Sequence, residues 1–106
     1  VVEVADRQRL PNRRAHEVFT FEHAGIRYTV GLGRFGDSRL AEVFVDAGKA
    51  GSMIDAYARD GAVLISLLLQ HGLDVADIKH SITRRSDGSA ASALGALLDL
   101  LAGESR

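Results

Sequence analysis

The chain has 106 residues, 46% of them apolar and 25% charged, which is enough for one globular domain with a sizeable core and too few for two. Its formal net charge of -1 gives no electrostatic reason to expect a nucleic acid or a membrane as partner. It contains no cysteine, and that excludes disulfide scaffolds, thiolate zinc sites, iron–sulfur centres and cysteine nucleophiles.

Residues 1–15 read as an extended basic arm ahead of a single domain over 16–103. Arg7, Arg9, Arg13 and Arg14 surround Leu10-Pro11-Asn12, and Pro11, the one proline, biases Leu10 toward extended backbone. No basic segment followed by an apolar run marks a signal peptide. The uncharged stretch 61–72 is far short of a bilayer span, so the expected compartment is the cytoplasm.

Strict alternation starts at His16. Val18, Thr20 and Glu22 fall on one face, Phe19 and Phe21 on the other. After Ala24-Gly25 it resumes, with Ile26, Tyr28, Val30 and Leu32 opposite Arg27, Thr29, Gly31 and Gly33, the signature of a β-hairpin. A turn at Gly36-Asp37-Ser38 precedes a third strand over 40–45.

At Ser52 the period changes to three and four. Ser52 is an N-cap residue with Asp55 placed to complete a capping box, and Ile54, Tyr57, Ala58, Gly61, Leu64, Ile65 and Leu68 mark a helix that Gly72 ends. Its second half, 62–69, carries no charge on any side, which predicts that protein surrounds it. Gly61, costly inside a helix, predicts a close neighbour. Asp74 caps a short helix bearing Val75, Ile78 and Ile82; Asp87-Gly88 is a turn; Ser89 or Ser92 caps a last helix that Gly103 stops. The fold class is α+β: a three-stranded antiparallel meander, a long central helix and two shorter helices, in a two-layer sandwich with one sheet face partly free. Two sheet edges and a free apolar face favour a homodimer.

Four groups of residues are candidates for chemistry. Gly48, Lys49, Gly51 and Ser52 lead into a helix N-terminus, where backbone N–H groups, a lysine and a hydroxyl suit a phosphate or the phosphates of a nucleotide. The segment is no Walker A loop, because Val43 stands where that motif has its first glycine; the competing reading is a strand-to-helix turn with Ser52 as cap. The arm arginines Arg7, Arg9, Arg13 and Arg14 could grip phosphates but lack interleaved aromatics, so a solvated arm is the plainer reading. His16, His23, His71 and His80 show no metal-ligand spacing, and His71 suits a helix C-terminus. Asp55 and Arg59, four apart, read as a surface ion pair, and no nucleophile–base pair supports a hydrolase or transferase built on Lys49, Ser52 and Asp55.

The order Arg9-Leu10-Pro11-Asn12-Arg13, hairpin, Leu40-Ala41-Glu42-Val43-Phe44-Val45, Gly48-Lys49-Ala50-Gly51-Ser52 and an apolar helix ending Leu69-Gln70-His71-Gly72 resembles the TSCPD domain. That domain lies near the C-terminal end of vitamin B12-dependent (class II) ribonucleotide reductases and also occurs as short stand-alone proteins. The resemblance departs at the segment that names the family, where this chain reads Asp87-Gly88-Ser89-Ala90-Ala91-Ser92 with neither Cys nor Pro. The reductases it implies use a thiyl radical, a redox cysteine pair and adenosylcobalamin on a large barrel. A chain of this size without cysteine is expected to hold no such cofactor and to be no autonomous reductase. The expectation is a non-catalytic accessory or interaction module that binds a reductase subunit, a nucleotide or itself. The alternative is a small nucleic-acid-binding protein that uses the arginine arm.

Overall fold

A computed structural model describes residues 6–10 and 16–104. The elements are β1 (His16–His23), β2 (Ile26–Arg34), β3 (Leu40–Ala47), α1 (Met53–Gln70), α2 (Val75–Lys79) and α3 (Ala93–Glu104). The sheet is an antiparallel meander in the order β1-β2-β3, so the α+β expectation holds. Ala24 and Gly25, both at positive φ, form the two-residue turn that matches strand twist and fix the β1–β2 register. The rows Phe19–Val30–Val45 and Phe21–Tyr28–Ala47 then lie on one face, with the Phe21 and Tyr28 rings stacked at 5.2 Å.

That face is the core side. Val30, Leu32 and Val43 are sealed from solvent, as are Leu97 and Leu98 of α3, and Ala58, Ala62, Ile65 and Leu69 of α1 close the same cluster. The opposite face stays partly open, with Val18 and Phe44 exposed and His16 and Glu42 folded over Gly31 and Gly33.

Several boundaries differ from the sequence reading for local reasons. β3 runs two residues beyond 45, because Asp46 and Ala47 still pair with Thr29 and Tyr28. Ser92, not Ser89, caps α3, accepting from the Gly95 N–H at 3.1 Å; Ser89 instead bonds the Asp87 carboxylate in the preceding turn. α3 passes Gly103 and ends at Glu104, and Ile82 lies beyond the end of α2. The C-terminus of α1 is a Schellman motif: Gly72 sits at φ 98, its N–H bonds the Leu69 carbonyl, and the Leu73 N–H reaches back to Leu68. His71 is the C-cap residue.

Gly61 meets α3, as its place inside a helix predicts. A β-carbon there would strike the Leu94 side chain.

Candidate functional site

The chemistry-bearing residues gather where β3 turns into α1. α1 runs antiparallel to β3 along its outer edge, and its side chains bond the peptide groups that a fourth strand would otherwise take. The Asp55 carboxylate accepts from the Ala47 N–H at 2.9 Å. The Ser66 hydroxyl accepts from the Val43 N–H at 2.8 Å, and its proton faces the carbonyls of Val43 (3.1 Å) and Ala62 (2.9 Å). The Gln70 amide donates to the Ala41 carbonyl at 3.1 Å. On α1 positions 55, 66 and 70 are 11 and 4 residues apart, about three turns and one, and on β3 their partners 47, 43 and 41 are four and two apart, so one helix stripe meets one strand edge.

At the helix N-terminus the Ser52 hydroxyl accepts from the Asp55 N–H and donates to the Lys49 carbonyl at 2.8 Å. Gly51, at φ 82, makes the turn. Gly48, Lys49 and Gly51 are exposed, and among the described residues Lys49 forms no ion pair. The four candidates thus sit together in one turn, with Ser52 committed to capping.

Asp55 corrects the surface-pair expectation. It is buried, and its carboxylate holds the Arg59 guanidinium at 2.8 Å, while Arg59 also reaches Asp46 at 2.7 Å. Its carboxylate is used on Ala47 and Arg59 while the Ser52 N–H turns to the Lys49 carbonyl, so no reciprocal capping box forms. The Arg59 hydrogen bond, with the Ala47 and Gly51 N–H groups, holds the Asp55 carboxyl below its ordinary value of 3.8 against the cost of burial. A depressed native pKa stabilises the fold above the ordinary value, and that support disappears as pH falls through the lower native one. Asp55→Asn should therefore be less stable than the parent at neutral pH, and the difference should narrow below pH 3.8, as thermal unfolding followed by circular dichroism against pH would show.

In the arm, the Arg7 guanidinium donates to the Gln70 side chain at 2.5 Å and the Gln8 N–H to the Gln70 carbonyl at 2.8 Å. Arg39 bonds the Gln8 side chain at 3.0 Å. Arg9 is exposed; Arg13 and Arg14 lie outside the described residues. A cleft of about 300 Å³ runs along the seam beside Arg7, Phe44, Arg59, Val63 and Leu67. Among the described residues, no three His, Asp or Glu side chains group as a metal site requires, and no helix is long and apolar enough to cross a membrane.

The outer surface of α1 is the feature that sequence reasoning misjudged. The uncharged half of the helix is not surrounded by this chain's own protein: Val63, Leu64 and Leu68 are exposed, continuing from Met53 and Tyr57. The core needs only one flank of the helix, and nothing among the described residues lies over the other.

The model of the TSCPD domain matches residues 5–103. The chain belongs to the TSCPD domain family. A vitamin B12-dependent ribonucleotide reductase of Agrobacterium fabrum is 33% identical over 78 residues, 74% of this chain and 6% of the reductase. The enzyme of the same name from Bradyrhizobium diazoefficiens is 25% identical over 83 residues, 78% of this chain and 7% of that protein. The TSCPD chain therefore spans only about one-fifteenth of the length of these curated relatives. No solved structure matches it. The family match begins at residue 5 and so takes in most of the basic arm, whose Arg7 and Gln8 are tied to the end of α1.

Proposed function

We propose that this TSCPD domain is a non-catalytic interaction module that works beside a vitamin B12-dependent ribonucleotide reductase. The observation that carries the reading is the uncovered apolar face of α1. Met53, Tyr57 and Leu64 are each more than 60% exposed on a single helix, where isolated surface apolar residues would need no explanation but a continuous stripe does. The chain has no cysteine to contribute to thiol chemistry. Cobalamin is assigned to the larger reductases and not to this domain, which has 106 residues and no cysteine.

The test is capture from purified components. The tagged domain is offered the reductase of the same organism and an untagged copy of itself. One of the two should be retained, and Leu64→Glu should lose it. Retention of neither would overturn the reading. Calorimetry with phosphate and with nucleotides is the companion measurement: heat that vanishes in Lys49→Ala would move the binding role to the turn before Ser52.

A further inference from the structure

We infer that the seam cleft binds a small planar ligand through the peptide groups of Val45, one that presents a hydrogen-bond donor beside an acceptor on a single edge, as a carboxamide or a heterocyclic base does. In an antiparallel strand the N–H and C=O of one residue point to the same side, and every second residue shares that side. Val43 turns both groups to Ser66, Ala47 turns its N–H to Asp55, and Ala41 turns its carbonyl to Gln70. Val45 stands between them in the same phase, so its N–H and C=O also point away from β2 and toward α1. Among the described residues no side chain bonds them. Between Asp55 and Ser66 the clamping stripe of α1 carries Arg59, whose guanidinium is taken by Asp46 and Asp55, and Ala62, which has no polar group. The polar ladder that seals the edge of β3 therefore lacks one rung.

The missing rung coincides with the cleft of about 300 Å³, which Val45 and Ala62 both line. The walls suit a flat group. Phe44, half-exposed, stands on the strand side, and Arg59, Val63 and Leu67, four residues apart along α1, form the helix side. The Arg59–Asp46 ion pair, at 2.7 Å, closes one end with its charge compensated, and Arg7 with Gln70 closes the other.

The width of the opening selects the occupant. A strand laid on this edge would need the groups of Val43 and Ala47, which α1 already holds, so the site admits one amide-sized unit and no extended chain. The volume is at the small end of ligand sites, the scale of a single substituted ring. A ligand that has the acceptor but lacks the donor would leave the Val45 carbonyl unmet, and a buried polar group left unmet costs more than a made bond gains. The site is separate from the outer apolar face of α1 and from the turn before Ser52, and it stands whichever partner the module takes.

The experiment is a titration of the isotope-labelled full chain, followed residue by residue through its backbone amide resonances. The probes are benzamide and adenine, with N,N-dimethylbenzamide as the control that keeps the acceptor and loses the donor. Benzamide, adenine or both should move the Val45 N–H signal most, with a dissociation constant of about 1 mM or tighter. Which of them binds tells whether the edge belongs to a carboxamide or to a base. The control should bind about tenfold more weakly than benzamide. Phe44→Ala and, independently, Val63→Lys change exposed positions, so circular dichroism should be unchanged while the Val45 shift is lost. A Val45 signal that neither probe moves at about 10 mM overturns the inference. Equal binding of benzamide and the control does the same, as does a shift that persists in both variants.

Discussion

Gly61→Val is expected to be the most damaging single change outside the central core, lowering stability by about 3 kcal/mol, the upper end of what overpacking costs. Two opposing terms decide the sign. Replacing glycine inside a helix recovers backbone entropy, worth up to about 1 kcal/mol. Against it stands the Leu94 side chain of α3, which occupies the space a β-carbon at position 61 would need. Valine adds two branches to that β-carbon, so the half-buried Leu94 side chain must swing aside or α1 and α3 must separate, and either loosens the contact between the helices. The check is a double-mutant cycle. Leu94→Ala makes room, so Gly61→Val should cost markedly less in that background, with a coupling of roughly 1–3 kcal/mol in urea unfolding. An equal cost in both backgrounds would mean that the helix contact is not the cause.

Ser66→Ala should cost about 1–3 kcal/mol, although it removes one oxygen from a half-buried position. That hydroxyl accepts from the Val43 N–H and faces the Val43 carbonyl. Alanine leaves both peptide groups without that partner where Ser66 and Val43 border the seam cleft, and a deserted donor is penalised more than a hydrogen bond is rewarded. Ser66→Thr, which keeps the hydroxyl, should lose less. For a domain near this size the alanine change would lower the melting midpoint by roughly 5–15 °C. A shift within a degree would show that water replaces the hydroxyl freely.

The contrast between Gly61 and Ser66 shows what was legible in the sequence. Gly61 breaks a local rule, since a helix interior disfavours it, so its need for a close neighbour could be read without knowing which neighbour. The same holds for the strands, whose alternation and the Ala24-Gly25 turn are local, and for the order of motifs that marks the family. Ser66 breaks no rule. A serine among Ile65, Leu67 and Leu68 looks like a polar interruption, and its partner Val43 lies 23 positions away. Asp55 was hidden in the same way: its spacing to Arg59 describes a surface pair, and only the strand edge brought over it makes it a buried acceptor. The uncharged run 62–69 failed for a third reason. Apolar residues all round a helix state that it has neighbours, but not that those neighbours belong to the same chain. The turn 48–52 divides likewise: the capping role of Ser52 was written in its spacing and is seen in its bonds, whereas an anion at Lys49 depends on a molecule outside the fold.

The bonds from Asp55, Ser66 and Gln70 to β3 bear on how the sheet resists strand addition. A sheet edge is a template on which any extended chain can add itself, and a three-stranded meander has two of them. Here one edge has its peptide groups at 41, 43 and 47 occupied by side chains, so an incoming strand would first have to displace a whole helix. A slip of β3 by one residue would turn those peptide groups away from their clamps, so the same contacts also resist misregistered pairing. Among the described strands β1 is the one left for strand addition, and it carries Glu17 and Glu22 beside His16 and His23, a row poorly suited to continuing a fibril.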